Sequence, residues 1–245
     1  LKSLYRHFSK ENKIAVVERA GYGYSDVFND DRDIDVIVEQ TREALIKSGN
    51  KPPYILVPHS ISGIEAIYWA QKYPKEVKAI VGLDIGLPSQ YIKHPVGFVE
   101  KAFMKAGTIL SALGFQRLFP SLAYNEAVLE KDFLTSKEKS IFKAISNKQG
   151  INNDMEQEML HSVTNSKKSI ALPIPKTTPI LFIDAYLDKN SEAAKASLKD
   201  YQDFAKKLDV SNVIQIKSKH SIYLYYPTEI YEETQKFLQE KVEKK

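Results

Sequence analysis

The 245-residue sequence contains no cysteine, one tryptophan and three methionines. Without cysteine the chain can form no disulfide, has no thiol nucleophile and offers no cysteine-ligated metal site. No run of 18 apolar residues occurs, so no segment is predicted to span a bilayer. No signal peptide is recognisable either. These absences do not fix the compartment, because cysteine-free proteins occur on both sides of a bacterial membrane.

Charge is also nearly balanced. Lys and Arg total 35 against 31 Asp and Glu, which gives a net charge of +4. The basic residues are scattered rather than clustered, so the sequence shows no nucleic-acid-binding footprint. Hydrophobic residues make up 43% of the chain, enough for a packed core. The length suits one α/β domain with an insertion.

The most informative stretch is 54–66, which runs from an apolar strand through Ser60 into an amphipathic helix with almost no linker. This is the pattern of a nucleophile elbow, in which a tight strand-to-helix turn exposes the serine above the sheet. The backbone amide of Ile61 would lie in the first helical turn, where amides can face a developing oxyanion. The usual G-x-S-x-G pattern is altered, with Pro58 and Ser62 at the glycine positions. A buried serine on an ordinary turn is the alternative interpretation.

Four further segments carry a resemblance to the α/β-hydrolase superfamily: the turn at 13–26, the strand at 78–84, the strand at 179–183 and the loop at 219–222. The chain most resembles a bacterial subgroup with a V-x-R/K-A-G-Y-G-x-S-D turn and a P-H-S-x-S-G elbow. The resemblance implies a mostly parallel sheet with helices on both faces. It also implies a core of residues 1–88 and 173–245 and a helical cap of residues 89–172.

Within the cap, the sequence predicts helices at 96–112, 124–130, 136–146 and 153–164, separated by glycine and proline. Most of the cap's large apolar side chains are expected to form its core, and a minority to line a substrate pocket. These are Phe98, Phe103, Met104, Leu110, Leu113, Phe115 and Phe119.

The start of the sequence reads as a helix, with apolar residues at positions 1, 4, 5 and 8. A strand is predicted at 13–18, paired with 54–59 in a parallel sheet. In the resembling family a strand and a glycine-rich loop precede this helix, and the loop supplies a second oxyanion amide. We therefore expect the early N-terminal strands, and with them that amide, to be missing from this sequence, and we expect this form to be weakly active.

A serine hydroxyl needs a base near neutral pH, and the chain has five histidines. His220 follows a predicted strand and precedes the last helix, which is the position of the base in the resembling family. His59 precedes Ser60 and should point away from it, because successive strand residues alternate in direction.

Two aspartates compete for the role of triad acid. Asp84 ends the strand that follows the elbow helix, and the resembling subgroup carries G-L-D there. Asp188 follows a later strand in register with the superfamily's common G-x-x-D acid, although Ala185 stands in place of its glycine. Asp84 could instead only order a loop, and Asp188 could instead cap a helix.

The resemblance implies a serine hydrolase that cleaves an ester or amide with a small apolar acyl group through an acyl-enzyme. Ser60 would attack, His220 would act as base and then acid, and Asp84 or Asp188 would orient it. Serine at the elbow disfavours epoxide hydrolase and dehalogenase chemistry, which uses aspartate there. No cofactor or metal is required. The alternative is a non-catalytic protein of this fold that binds a small apolar ligand under the cap.

Overall fold

The computed structural model describes residues 2–10, 12–119, 124 and 126–242. In these residues five strands form one sheet in which every recorded pairing is parallel. Its order is β1-β3-β4-β5, and β2 pairs with β3 beyond the end of β1. The strands are β1 (Tyr54–Leu56), β2 (His59–Ser60), β3 (Val77–Ile85), β4 (Ile180–Tyr186) and β5 (Ser211–Lys217).

Eleven α-helices occur in the same described residues. Asp33 caps the second of them by accepting a hydrogen bond from the Asp35 amide, and Pro88 and Pro227 stand at the first positions of two others. The helices are α1 (Lys2–Phe8), α2 (Ile34–Lys47), α3 (Ser62–Lys72), α4 (Pro88–Lys93), α5 (Phe98–Ala112), α6 (Ala127–Glu130), α7 (Ser136–Gln149), α8 (Asn153–Leu160), α9 (Ser162–Ile170), α10 (Glu192–Ala205) and α11 (Pro227–Phe237).

The sheet has a hydrophobic core on each face because both faces of β3 and β4 are apolar. Ile80 and Phe182 point to one side, where they pack with residues of α2, α3 and α10. Val81 and Leu181 point to the other side, where they pack with residues of α1 and α11. Strands buried on both faces read as continuous apolar runs. The predicted arrangement of a parallel sheet between two helical layers is therefore confirmed.

The predicted strand at 13–18 is wrong. Residues 13–19 have no assigned strand, and most of their side chains are exposed. A groove of about 770 Å³ is lined by this segment and by residues 53–59. The neighbouring strand β1 is only three residues long and is bounded by Pro53 and Pro58, which have no N–H to donate to a ladder. Residues 13–18 contain an apolar run, but they have no neighbouring strand to pair with on either side and therefore do not join the sheet.

The predicted N-terminal helix is present as α1, although Leu1 itself lies outside the described residues. Leu4 is buried in the core that α11 shares. The Ser3 hydroxyl donates to the Tyr223 carbonyl at 2.6 Å, and the rings of Phe8 and Tyr231 meet edge to face. Helix α1 therefore packs against the C-terminal elements and the sheet, and its Leu4, Tyr5 and Phe8 line the same groove as residues 13–17.

The segment from α4 to α9 is helical, as predicted, with different boundaries. The helix predicted at 153–164 is two helices that meet at His161, and the helix predicted at 124–130 is confined to α6. Residues 120–123 and 125 lie outside the description. Nowhere in the described chain is a helix both long enough and apolar enough to cross a membrane.

Candidate active site

Ser60 is the last residue of β2 and has φ of +57°, in the left-handed region that side chains with a Cβ rarely occupy. Helix α3 begins two residues later. Such strain persists only where the surrounding structure fixes the backbone. Here the Ser60 carbonyl accepts a hydrogen bond from the Gly86 amide at 2.9 Å. The local geometry is therefore that of a strained strand-to-helix turn with a serine at its apex.

The residues that depart from the usual elbow pattern have structural explanations. Pro58 lies in the break between β1 and β2, where its carbonyl accepts from the Leu83 amide and no N–H is needed. The Ser62 hydroxyl accepts from the His59 amide at 2.9 Å and donates to the His59 carbonyl at 2.7 Å, which closes the turn. At Gly63 an added Cβ would lie 2.6 Å from the Ile85 Cβ. Gly63 thus allows the close approach of α3 to β3.

Asp84 stands near the end of β3, beside the elbow, and also has a positive φ, of +46°. Its Oδ2 lies 2.6 Å from His220 Nδ1. Its Oδ1 accepts a hydrogen bond from the Ala185 amide at 3.0 Å, on the neighbouring strand. Both carboxylate oxygens are therefore engaged, and the side chain is only 16% exposed.

Asp188 is exposed, and its hydrogen bonds are to residues of its own loop. Its Oδ1 accepts from the Asn190 amide at 2.9 Å, and its backbone carbonyl accepts from the Ser191 hydroxyl. Ser191, rather than Asp188, is the N-cap of α10. Of the two aspartates weighed from the sequence, Asp84 is the one that the structure brings to His220.

The His220 imidazole projects from the loop after β5, and its ring centroid lies 4.5 Å from that of His59. His59 Nε2 lies 3.0 Å from the His220 carbonyl oxygen, so a proton on Nε2 can be donated to it. Burial lowers the pKa of His59 and so favours the neutral ring, while its hydrogen bond to the His220 carbonyl acts in the opposite direction. Side-chain alternation along the strand predicts that His59 points away from Ser60, but no sequence signal shows that its ring contacts the loop that carries His220.

A network of charged groups lies beside the elbow helix and was not foreseen. Arg19 pairs with Glu65 of α3 and with Glu158 of α8, the latter at 3.0 Å, and the buried Arg32 also contacts Glu158 at 3.0 Å. Burial raises the pKa of Glu65. The Arg19 guanidinium stacks over the Tyr22 ring at 4.9 Å. Two arginines and two glutamates thus connect the G-Y-G turn, the elbow helix and the helical segment.

Over the described residues, no three His, Cys, Asp or Glu side chains come together as a group that could hold a metal ion.

Comparisons with known proteins add a sequence relative and a fold. The chain matches no protein-family model. The "Uncharacterized protein YbdG" of Bacillus subtilis (strain 168) is 54% identical over 240 residues, which are 97% of this chain and 74% of that protein.

Two solved structures are similar in fold at low sequence identity. Epoxide hydrolase A from Mycobacterium thermoresistibile has a TM-score of 0.63 at 17% identity, covering 91% of this chain and 81% of that one. A bromoperoxidase from Bacillus anthracis has a TM-score of 0.63 at 18% identity, covering 90% and 79%. At these identities the likeness shows the fold alone, and it confirms the predicted α/β-hydrolase fold.

Proposed function

We propose that this chain, which belongs to the family of the Bacillus subtilis protein YbdG and has the α/β-hydrolase fold, is a serine hydrolase that cleaves an ester or amide through an acyl-enzyme. The observation that carries the proposal is the contact between Asp84 and His220 beside the turn that holds Ser60, since Ser60 pairs with Ile85, the residue after Asp84. Ser60 occupies a strained turn at the end of β2. Asp84 is the next-to-last residue of β3, and its Oδ2 lies 2.6 Å from His220 Nδ1.

In the proposed mechanism the protonated His220 Nδ1 donates a hydrogen bond to the Asp84 carboxylate, which stays ionised and fixes the tautomer in which Nε2 is the basic nitrogen. His220 Nε2 then takes the proton of the Ser60 hydroxyl while Oγ attacks the substrate carbonyl carbon. The His220 proton next passes to the leaving group, whose bond to the acyl carbon breaks. Water, deprotonated by the same nitrogen, hydrolyses the acyl-enzyme and restores Ser60.

Oxyanion stabilisation is assigned to the Ile61 backbone amide. Ile61 is the N-cap of α3, and amides at a helix start have no intrahelical acceptor. The same helix end carries partial positive charge, which favours a developing negative oxygen nearby. Each such donor contributes roughly 2.7–4 kcal/mol of transition-state stabilisation in related chemistry.

A serine at the elbow favours acyl transfer over alkyl transfer. Epoxide hydrolases and dehalogenases of this fold use aspartate there, so their structural likeness to this chain does not extend to the nucleophile. We assign residues 89–172 as a cap over the site. Helix α8 supports this, because its Glu158 pairs at 3.0 Å with Arg19, which also pairs with Glu65 in the first turn of the elbow helix.

Hydrolysis of p-nitrophenyl butyrate tests the proposal. Ser60→Ala should reduce kcat by on the order of 10³-fold or more, because the nucleophile is lost. Ser140→Ala removes an exposed serine of α7 and should leave the rate unchanged, which makes it the matched control. A Ser60→Ala protein as fast as this control would refute the assignment. A folded wild-type protein with no esterase or amidase activity would instead favour a ligand-binding role.

A further inference from the structure

Helix α5 turns its apolar side chains to solvent instead of into the protein. The most exposed apolar residues of the helix and its C-cap include Phe98 at 87%, Phe103 at 74% and the C-cap Leu113 at 69% of their full accessible surface. None of its fifteen residues is buried. The prediction that these side chains form the core of the cap is therefore wrong for α5. Single exposed apolar residues are ordinary, but a contiguous set marks an interaction surface.

The exposed apolar residues form one uninterrupted surface. At 3.6 residues per turn they cover an arc of about 140° around the helix axis, and no charged or hydrogen-bonding side chain falls within that arc. Beyond the helix, Leu118 and Phe119 are also exposed. The apolar face of α5 consists, in order around the axis, of Phe98, Ile109, Ala102, Leu113, Ala106, Val99, Leu110 and Phe103.

Polar contacts on the opposite side explain why the helix lies this way. The Thr108 hydroxyl donates to a Glu156 carboxylate oxygen of α8 at 2.8 Å. The Ser111 hydroxyl accepts from the Ile151 amide at 2.9 Å. Gly107 allows a close approach, since a Cβ there would lie 3.0 Å from the Ile151 Cδ1. The side of α5 with small and polar residues thus packs against the rest of the protein. Its apolar face packs against no other element among the described residues.

Positive charge borders this face. Lys101 and Lys105 lie along its edge, and Arg117 follows in the next turn of chain. All three side chains are exposed, and Lys105 makes only a 3.7 Å contact with Glu156. Glu100, on the opposite side of the helix, is the one acidic residue between positions 98 and 119. Lysines at the border of an apolar stripe can extend their ammonium groups toward anionic headgroups while their stems cover apolar surface.

We propose that α5 docks this protein on the surface of an anionic phospholipid bilayer. The helix would lie in the plane of the interface, with Phe98, Phe103 and Leu113 among the acyl chains and Lys101 and Lys105 at the phosphates. A second copy of the chain fits this face less well, because two apolar faces brought together would also bring their lysine borders together. The proposal depends on the surface of α5 and not on the proposed hydrolysis.

Co-flotation of the purified protein with lipid vesicles tests it. The wild type should float with phosphatidylcholine vesicles that contain phosphatidylglycerol, more weakly with pure phosphatidylcholine, and less in high salt. The double variant Phe103→Ser, Leu113→Ser should bind the anionic vesicles at least about tenfold more weakly, because two apolar anchors are lost. The matched control, Tyr24→Ser with Ile46→Ser, removes apolar residues that are 70% and 58% exposed elsewhere, and should bind like the wild type.

Two further measurements test the contribution of charge to vesicle binding and the alternative that a second copy of the chain covers α5. Lys101→Glu should weaken binding to the anionic vesicles and leave binding to phosphatidylcholine unchanged. Light scattering should give a monomer mass for the wild type in the absence of lipid. Wild-type protein that does not float with anionic vesicles would overturn the proposal. A dimer that the Phe103→Ser, Leu113→Ser variant dissociates would also overturn it, in favour of a second copy on this face.

Discussion

The carboxyl edge of the sheet and helix α5 hold their side chains in opposite ways. At the sheet edge, Ser60 and Asp84 adopt positive φ values and are fixed by bonds to Gly86, Ala185 and His220. Along α5 the large apolar side chains contact solvent. The backbone strain at the sheet edge is offset by contacts within the molecule. The exposed apolar face of α5 instead has the character of a surface that binds a partner. Substitutions should therefore act on chemistry and stability in the first region and on association in the second.

The largest difference is expected between the two aspartates. Asp84→Asn replaces an acceptor by an amide that can donate to His220 Nδ1, which places the histidine proton on Nε2 and removes the base. We expect kcat for ester hydrolysis to fall by on the order of 10³–10⁴-fold. Asp188→Asn changes only an exposed loop and should stay within about twofold of wild type, in line with surface substitutions generally. Equal losses in the two variants would contradict the assignment of Asp84.

Alanine substitutions at Gly63, beside the site, and at Gly107, in α5, should have different effects on the free energy of unfolding. Gly63→Ala places a Cβ 2.6 Å from the Ile85 Cβ and 2.8 Å from the Gly86 carbonyl oxygen. Such overpacking costs about 1–3 kcal/mol. Gly107→Ala, inside α5, meets only the end of the Ile151 side chain and gains helix propensity of about 1 kcal/mol. Urea unfolding should show Gly63→Ala destabilised and Gly107→Ala neutral or stabilised. A Gly63→Ala protein as stable as wild type would show that α3 need not approach β3 so closely.

The fold and the candidate site differ in how far the sequence could predict them. The sheet, α3 and α11 follow from apolar periodicity and from proline and serine at helix starts, which are local signals. The segment 13–18 has the composition of a strand, but pairing depends on a neighbour that local pattern does not supply. The periodicity of α5 marks an amphipathic helix without saying which face turns inward. That choice depends on the contacts with Glu156 and Ile151, which are distant in sequence.

The same limit applies to the site. The elbow pattern predicts Ser60 as the nucleophile, and chain order predicts His220 as the base. The choice between Asp84 and Asp188 required the spatial contact with His220, because both lie near the carboxyl ends of neighbouring strands. The roles of His59 and of Arg19 could not be predicted, since each depends on a partner more than 40 residues away.

The pH dependence of stability should reveal the charged network beside α3. Folded Glu65 has a raised pKa because of burial, so the folded protein retains a proton that the unfolded chain releases near pH 4.5. Stability should therefore fall as the pH rises from about 4.5 through the raised pKa. Glu65→Gln should reduce the fall of Tm with rising pH. For a chain of this length, each kcal/mol of stability corresponds to roughly 2–4 °C in Tm. Glu43→Gln, which changes an exposed pair with Lys47, should leave the slope intact.

The smallest effect on stability is expected on the apolar face of α5. Phe103→Ser should change the free energy of unfolding by no more than about 0.5 kcal/mol, because the side chain is 74% exposed and packs against little. Phe182→Ala, in the fully buried core beside α10, should cost about 3–5 kcal/mol. Denaturant unfolding of both proteins compares the regions directly. A large loss in Phe103→Ser would show that this residue packs inside the protein.

The most direct test of the central claim is labelling with a fluorophosphonate probe, which phosphonylates an activated serine and leaves ordinary serines untouched. The account predicts a single adduct, mapped by mass spectrometry to Ser60, that is absent in Ser60→Ala and strongly slowed in His220→Ala. Retention of full labelling in Ser60→Ala, or an unlabelled wild-type protein that is folded, would contradict it.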